Sequence, residues 1–298
     1  TGEQRRKPVI QLQFLNRHTK VNTMKIKAIS HIATLAITIA TLGSCSNIDS
    51  DDRLIYVKPA PVKRTVLIED FTGQKCINCP YAANETEKII TQYGQENIIV
   101  VSIHCGLGMN YNPTARHQGL MTTTGNQYYK AWGSPAQPSG LVNRTTAEAT
   151  TYTTWGSLVR NEIQQTAPIA ISLATQYNPD DRHLDIDVKV SGTDGNTDGY
   201  LQVWLTEDNI ISLQDTPQGR DYQYNHRHAF RANVTPDLWG DAVSITEGQS
   251  LQKNYSYILP THWNPQNISV VAFVTDTRNR NIKQATAQPI TEKITPTE

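Results

Sequence analysis

An α/β domain followed by an all-β sandwich is the fold class the sequence predicts, on three observations. Between Arg64 and Thr166, β-branched runs alternate with segments of helical spacing in the order strand, helix, strand, helix, strand, helix. At Pro168 the texture changes to short segments, most with alternating apolar residues, separated by Asn, Asp, Gly and Pro. About seven such segments point to a β-sandwich of immunoglobulin-like type. Residues 62–167 form the first domain, 168–292 the second, and 293–298 a tail.

Each element follows from its residues. "RTVLIEDF", Arg64 to Phe71, is a strand by its β-branched content, and Asn78 to Tyr93 has helical spacing at Ala82, Thr86, Ile89 and Ile90 before stopping at Gly94. "NIIVVSIHC", ending at Cys105, is a continuous apolar run that suits the middle of a partly parallel sheet covered on both faces. Gly106 to Pro113 reads as a loop and Thr114 to Trp132 as a Thr-rich helix. "PSGLVNR", Pro138 to Arg144, reads as a strand, and Thr154 to Thr166 as an amphipathic helix carrying Trp155, Leu158, Val159 and Ile163. Beyond Pro168 the strands are "IAISLATQY", "HLDIDVKVSG", "YLQVWLTE", "AFRANV", "LQKNYSYIL", "NISVVAFVTD" and "IKQATAQ".

Upstream lies a segment of another kind. The first methionine, Met24, opens "MKIKAISHIATLAITIATLGSC": Lys25 and Lys27 form a charged end, Ile29 to Thr41 an apolar stretch too short to span a bilayer comfortably, and Leu42-Gly43-Ser44 a small-residue cleavage context. This is a signal peptide over residues 24–44, with 1–23 an upstream extension. Leu-Gly-Ser-Cys resembles the bacterial lipobox, which implies that Cys45 is lipidated and becomes the mature N-terminus. The bland alternative is an ordinary signal peptide with a chance cysteine at its cut site. Residues 45–61, beginning "CSNIDSDD", form an acidic, polar tether with little to bury.

Composition removes several function classes. With 27 basic and 27 acidic residues in a chain of 298, there is no electrostatic footprint for nucleic acid. No nucleophile elbow accompanies the many serines, and "GLG" at Gly106 to Gly108 lacks the rest of a phosphate-loop fingerprint. No cofactor is implied.

The chemistry concentrates in "GQKCINCPYAAN", Gly73 to Asn84. Cys76 and Cys79 stand after a buried strand, in a short loop, at the start of a helix. A structural zinc site needs a second half, and only His104, Cys105 and scattered histidines are on offer. A redox pair fits the position better, because unsatisfied amides and the positive end of the helix dipole favour a thiolate. In that reading Cys76 is the nucleophile and Cys79, one turn along, the resolving thiol. Pro80 is tolerated in the first helical turn. In an oxidising compartment the same two cysteines form the natural disulfide, with Cys105 an inert core thiol. Alternation places Val66, Ile68 and Asp70 on one strand face, so Asp70 is either an inward carboxylate or an edge carboxylate in water.

"VLIEDFTGQKCINC" resembles the first core strand and active-site loop of thioredoxins. The resemblance implies that Asp70 relays the proton of the resolving cysteine, and that a cis-proline lies opposite the disulfide and shapes a substrate-docking edge. Pro138 has that context, with Pro135 the competitor. Lys75 where thioredoxins have tryptophan, and Ile77-Asn78 in place of Gly-Pro, leave the direction of electron flow open. The lipobox, "EDFTGQKCINCP", "QPSGLVNR", "YNHRHAFRA" and "VVAFVTD" together resemble the Omp28 family of Gram-negative outer-membrane lipoproteins. That resemblance implies a thioredoxin-like first half, a β-sandwich behind it, and anchoring in the outer membrane facing either the periplasm or the cell surface.

The expected activity is thiol–disulfide exchange with protein thiols or disulfides of the envelope. The rival is a surface adhesin or binding protein that keeps the Cys76–Cys79 bridge as a clip and recognises its partner through loops such as Asp208 to His228. His226 and His228 alternate as strand neighbours, but two ligands make no metal site.

Overall fold

The computed structural model describes residues 56–290. The extension at 1–23, the signal peptide at 24–44, Cys45 with most of the tether, and the tail at 293–298 lie outside the described residues.

Strand β2 (Val66–Thr72) is buried at every position. It runs parallel to β3 (Ile98–His104), pairing Val66 with Ile98 through Thr72 with His104, and antiparallel to β4 (Ser139–Val142). Both of its faces are covered, which is why its apolar residues fall on both, Val66 and Ile68 on one and Leu67 and Phe71 on the other. On one face, helix α1 (Cys79–Tyr93) and helix α3 (Trp155–Glu162) bring Ala82, Ile89, Trp155 and Val159 onto Val66, Ile68, Val100 and Val142. On the other, Leu67, Phe71, Val101 and Ile103 share a core with Tyr128 of helix α2 (Thr123–Ala131). A short pair, β1 (Val62–Lys63) with β5 (Thr166–Ala167), closes this region.

The remaining strands join the same sheet. Strand β11 (Ala229–Asn233) lies parallel to β3, with Ala229 opposite Ser102, and antiparallel to β8 (Asn196–Glu207). Outward from β8 come β14 (Ile268–Asp276) and β15 (Ile282–Pro289), while β12 (Asp241–Thr246) pairs with the start of β8. The order is β15-β14-β8-β11-β3-β2-β4. A second sheet of β6 (Ile169–Asn178), β7 (His183–Gly192) and β13 (Ser250–Ile258) stacks Leu184, Ile186, Val188 and Val190 onto Leu201, Val203, Leu205 and Val270. A hairpin of β9 (Ile210–Thr216) and β10 (Gly219–His226) forms a two-stranded sheet of its own.

This corrects the expected fold class, an α/β thioredoxin-like domain followed by an all-β immunoglobulin-like sandwich. Fifteen strands against three α-helices make the described residues mostly β, and β2, β3 and β4 belong to an eight-stranded sheet shared with the second half. The physical reason is visible at β3. Its continuous apolar run needs a neighbour on both sides, and β11 supplies the second one, with the Ser102 amide donating to the His228 carbonyl at 2.7 Å. The stacked sheets are sandwich-like, but one layer is this shared sheet rather than half of a separate domain.

A buried ion pair within the first half is packed against aromatic rings of the second. The Arg144 guanidinium donates to both carboxylate oxygens of Glu69, at 2.7 and 2.8 Å, with neither side chain exposed. It also sits 5.2 Å from the Phe273 ring and 5.8 Å from the rings of Trp204 and Trp239. Asn143 and Arg144 reach this position with φ of 46° and 53°, the left-handed region that asparagine tolerates better than most residues.

The expected helix over Thr114–Trp132 is shorter than its pattern, forming only at Thr123–Ala131. Thr122 caps it by accepting from the Gly125 amide at 3.0 Å, so the threonine-rich stretch starts the helix instead of filling it. Likewise Tyr152–Thr154 is a 3₁₀ turn leading into α3, which ends at Glu162.

Candidate functional site

Cys76 and Cys79 are joined as a disulfide at the N-terminal end of α1. Cys79 is the first helical residue and Pro80 follows in the first turn, where a missing N–H costs nothing. Cys79, Ala82, Thr86 and Ile89 make the buried stripe of α1, so helical spacing turns the second sulfur inward. Cys76 sits in the preceding turn, its amide donating to the Gly73 carbonyl at 3.0 Å. Both cysteines are buried, Cys76 at 5% exposure and Cys79 at 2%.

Beside Cys79, α1, the ends of β2 and β3, and the β9–β10 hairpin line a half-open pocket of about 240 Å³ that includes Asp70, Cys79, His104, Gln214, Tyr224 and His226. Asp70 is turned inward: it is 2% exposed, and its Oδ1 finds no hydrogen-bond partner among the described residues. Burial lifts its pKa from 3.8 to about 7, so a carboxyl that titrates near neutrality lines the same pocket as Cys79.

His104 and His226, 122 residues apart in sequence, meet with Nε2 of the first 3.3 Å from Nδ1 of the second. His226 Nε2 faces the Leu213 carbonyl at 3.2 Å, so it carries the hydrogen and its Nδ1 accepts from His104. Burial pushes His226 down to about 4 and His104 well below the usual histidine range, and both are neutral at neutral pH. His228 is separated from this pair. With φ of 54° it turns away from β10, and its ring nitrogens lie 3.3 Å from Asp208 and 3.5 Å from Glu87 at the cavity rim. The His228 imidazole and the Arg227 guanidinium hold the Glu87 carboxyl down at about 2.

Pro138 follows a cis peptide bond after Gln137, whereas Pro135 does not. The Gln137 amide donates to the Cys105 carbonyl at 3.1 Å and to Cys105 Sγ at 3.2 Å, which draws the end of β3 and the entry to β4 together. Cys105 itself is a free, fully buried thiol, and burial pushes its pKa far above the usual thiol range.

Asp70 and Cys79 thus line one pocket, with Cys76 bonded to Cys79. The site adds His104 and His226, which the sequence offered only as metal-ligand candidates, and Gln74 and Gln214, which sequence reasoning missed. His104 carried a usable signal: in parallel register with Thr72, it shares the face of Asp70. The glutamines carried none.

Among solved structures, the chain is similar to HBP35 of Porphyromonas gingivalis at 18% identity and a TM-score of 0.58, covering 81% of this chain and 82% of that one. This likeness speaks for the fold alone. A domain of the outer membrane lipoprotein Omp28 from the same organism is 21% identical over 43% of this chain and 92% of that one, with a TM-score of 0.31. The sporulation control protein Spo0M of Bacillus subtilis, 17% identical over 44% of this chain and 50% of that one, gives 0.29. No curated protein sequence matches the chain. No helix among the described residues is long and apolar enough to cross a membrane. The family model for outer membrane protein Omp28 matches residues 125–293, more than half of the sequence, and the chain therefore belongs to the Omp28 family of outer membrane proteins.

Proposed function

We propose that this outer-membrane protein, held by a lipidated Cys45, exchanges disulfides with protein thiols of the cell envelope through Cys76 and Cys79. The observation that carries the reading is that Cys79 of a helix-N-terminal disulfide lines the same pocket as a buried, unpaired carboxyl whose pKa is about 7. In the oxidised form a substrate thiolate attacks Cys76 Sγ and the Cys76–Cys79 bond breaks. Cys79 leaves as a thiolate and takes the proton held by Asp70. A second substrate thiolate then attacks the substrate sulfur of the mixed disulfide, forming the substrate disulfide and releasing Cys76 as a thiolate. Two electrons stay on the protein as its reduced pair. The reverse sequence reduces a substrate disulfide, with the Asp70 carboxylate accepting the Cys79 proton. In this reading the segment around the cis-linked Pro138 serves as the docking edge for the substrate chain.

The test is covalent trapping with Cys79→Ser, alongside insulin reduction by the wild type and by Cys76→Ser. Reductant-reversible mixed disulfides on Cys76, and turnover lost in Cys76→Ser, support exchange. A pair that stays closed at strongly reducing potentials and traps nothing refutes it.

The burial of both sulfurs favours a second reading, in which the disulfide is a clip and the protein binds a partner through the exposed end of the β9–β10 hairpin. Retained partner binding by a Cys76→Ser/Cys79→Ser double variant with no exchange activity distinguishes it.

A further inference from the structure

We propose that the β9–β10 hairpin is a strap that must lift before any sulfur reaches Cys76, and that Gln214 is the positioning residue holding it shut. The inference rests on the exchange reading and starts from the burial of both cysteines.

Gln214 is 2% exposed, and its amide faces three carbonyls: Cys76 at 3.0 Å, Gly73 at 3.3 Å and Asp215 at 3.0 Å. Two of these belong to the cysteine loop, so one side chain of β9 holds both ends of the Gly73–Cys76 turn that leads into the disulfide. The grip is reciprocal. The Asp215 amide donates to the Gln74 carbonyl at 2.7 Å, and the Gln74 amide reaches the Leu213 carbonyl at 3.2 Å and Ser212 Oγ at 3.3 Å. Tyr111 donates to Asp215 at 2.7 Å, and His226 ties β10 to His104 of β3 at 3.3 Å.

Against these polar ties the hairpin has little apolar support. Ile210 and Leu213 are buried, while Pro217 to Gln223 are all exposed. A hairpin held by side-chain hydrogen bonds rather than by core area opens locally at a fraction of the cost of global unfolding. Reduction removes the covalent constraint on the turn that Gln214 grips, so the same contacts are weaker in the reduced form.

Dithiothreitol reports on this without a protein substrate: its thiolate attacks Cys76 Sγ, Cys79 leaves as a thiolate, and the second dithiothreitol thiolate closes its ring and releases Cys76. The experiment compares the second-order rate in the wild type, Gln214→Leu and Gln214→Glu, which keeps the shape but removes the amide donors. Losing this buried set of bonds speeds reduction about tenfold, the factor that corresponds to one such interaction. Hydrogen exchange of residues 210–226 in oxidised and reduced wild type is the second measurement, and it stands even where a variant fails to fold. Faster exchange in the reduced protein is expected. Rates within twofold in folded variants, or equal protection in both redox states, overturn the strap. The exchange reading fails separately, when Cys79→Ser traps nothing while the hairpin still responds to reduction.

Discussion

Replacing Asp70 by Asn changes how stability depends on pH, in a way that only a buried titrating carboxyl produces. In the folded protein this group holds its proton up to about pH 7, whereas its ordinary pKa is 3.8. Between those values the folded state carries one more proton than the unfolded chain. Its contribution is therefore fully present below pH 3.8 and is lost as pH rises through 7, at about 1.4 kcal/mol for each pH unit. A raise of roughly three units amounts to about 4 kcal/mol at pH 8, an order-of-magnitude figure. Asn has nearly the same shape and never ionises, so Asp70→Asn gains close to that amount over the wild type at pH 8 and almost nothing at pH 4. Urea denaturation of both oxidised proteins at half-unit steps from pH 4 to 8 reads the difference while leaving the cysteine chemistry silent. Two stability curves running parallel across that window would refute an inward, unpaired Asp70. A difference that grows toward low pH would refute the sign.

Three further outcomes follow from the packing. Arg144→Leu leaves the Glu69 carboxylate buried without its partner and costs about 3–5 kcal/mol in urea denaturation, with part of the loss restored by adding Glu69→Gln. Gly140→Ala drives a Cβ into the Glu69 carbonyl and within 2.6 Å of the Trp155 ring, so the melting midpoint falls with a loss of at least about 1–3 kcal/mol; an unchanged midpoint contradicts the β2–β4 register. Cys105, buried and with its thiol pKa raised, resists iodoacetamide in the native oxidised protein at pH 8 and reacts on unfolding; stoichiometric native labelling would show that β3 does not end in a sealed core.

What the sequence made legible is what short-range chemistry decides. Strand β2, helix α1 and strand β3 are readable because a β-branched run, an apolar stripe and a glycine stop act within a few residues, and Gly94 closes α1 with φ of 88°. All seven expected strands after Pro168 are present as β6, β7, β8, β11, β13, β14 and β15. The inward turn of Asp70 was half legible, since alternation gives the face but not whether anything covers it. The hairpin was illegible. "IISLQDTPQGRDYQYNH" mixes amides, charges and tyrosines without a sustained period, and its structure depends on Gln74 and His104, more than 100 residues upstream. Nor did the residues disclose that β11 would dock on β3, because Ala229 and Ser102 meet by tertiary packing and carry no local mark of it.

That docking bears on why the two halves do not form separate cores. A protein ending after α3 would leave the far edge of β3 unpaired and the aromatic face of Tyr128 without Trp204 and Phe230, whose rings lie 4.8 and 5.9 Å from it. It would also leave the Arg144 guanidinium without the Trp204 and Phe273 rings beside which it is buried. Unpaired strand edges invite association, and a buried charge stripped of its surroundings is costly. The second half therefore does more than stand behind the disulfide. Through β11 it completes the sheet that carries Asp70, and through Gln214 and His226 it covers the cysteine loop and the wall of the cavity. The surroundings of Cys76 and Cys79 are consequently built by residues far beyond the motif that holds them.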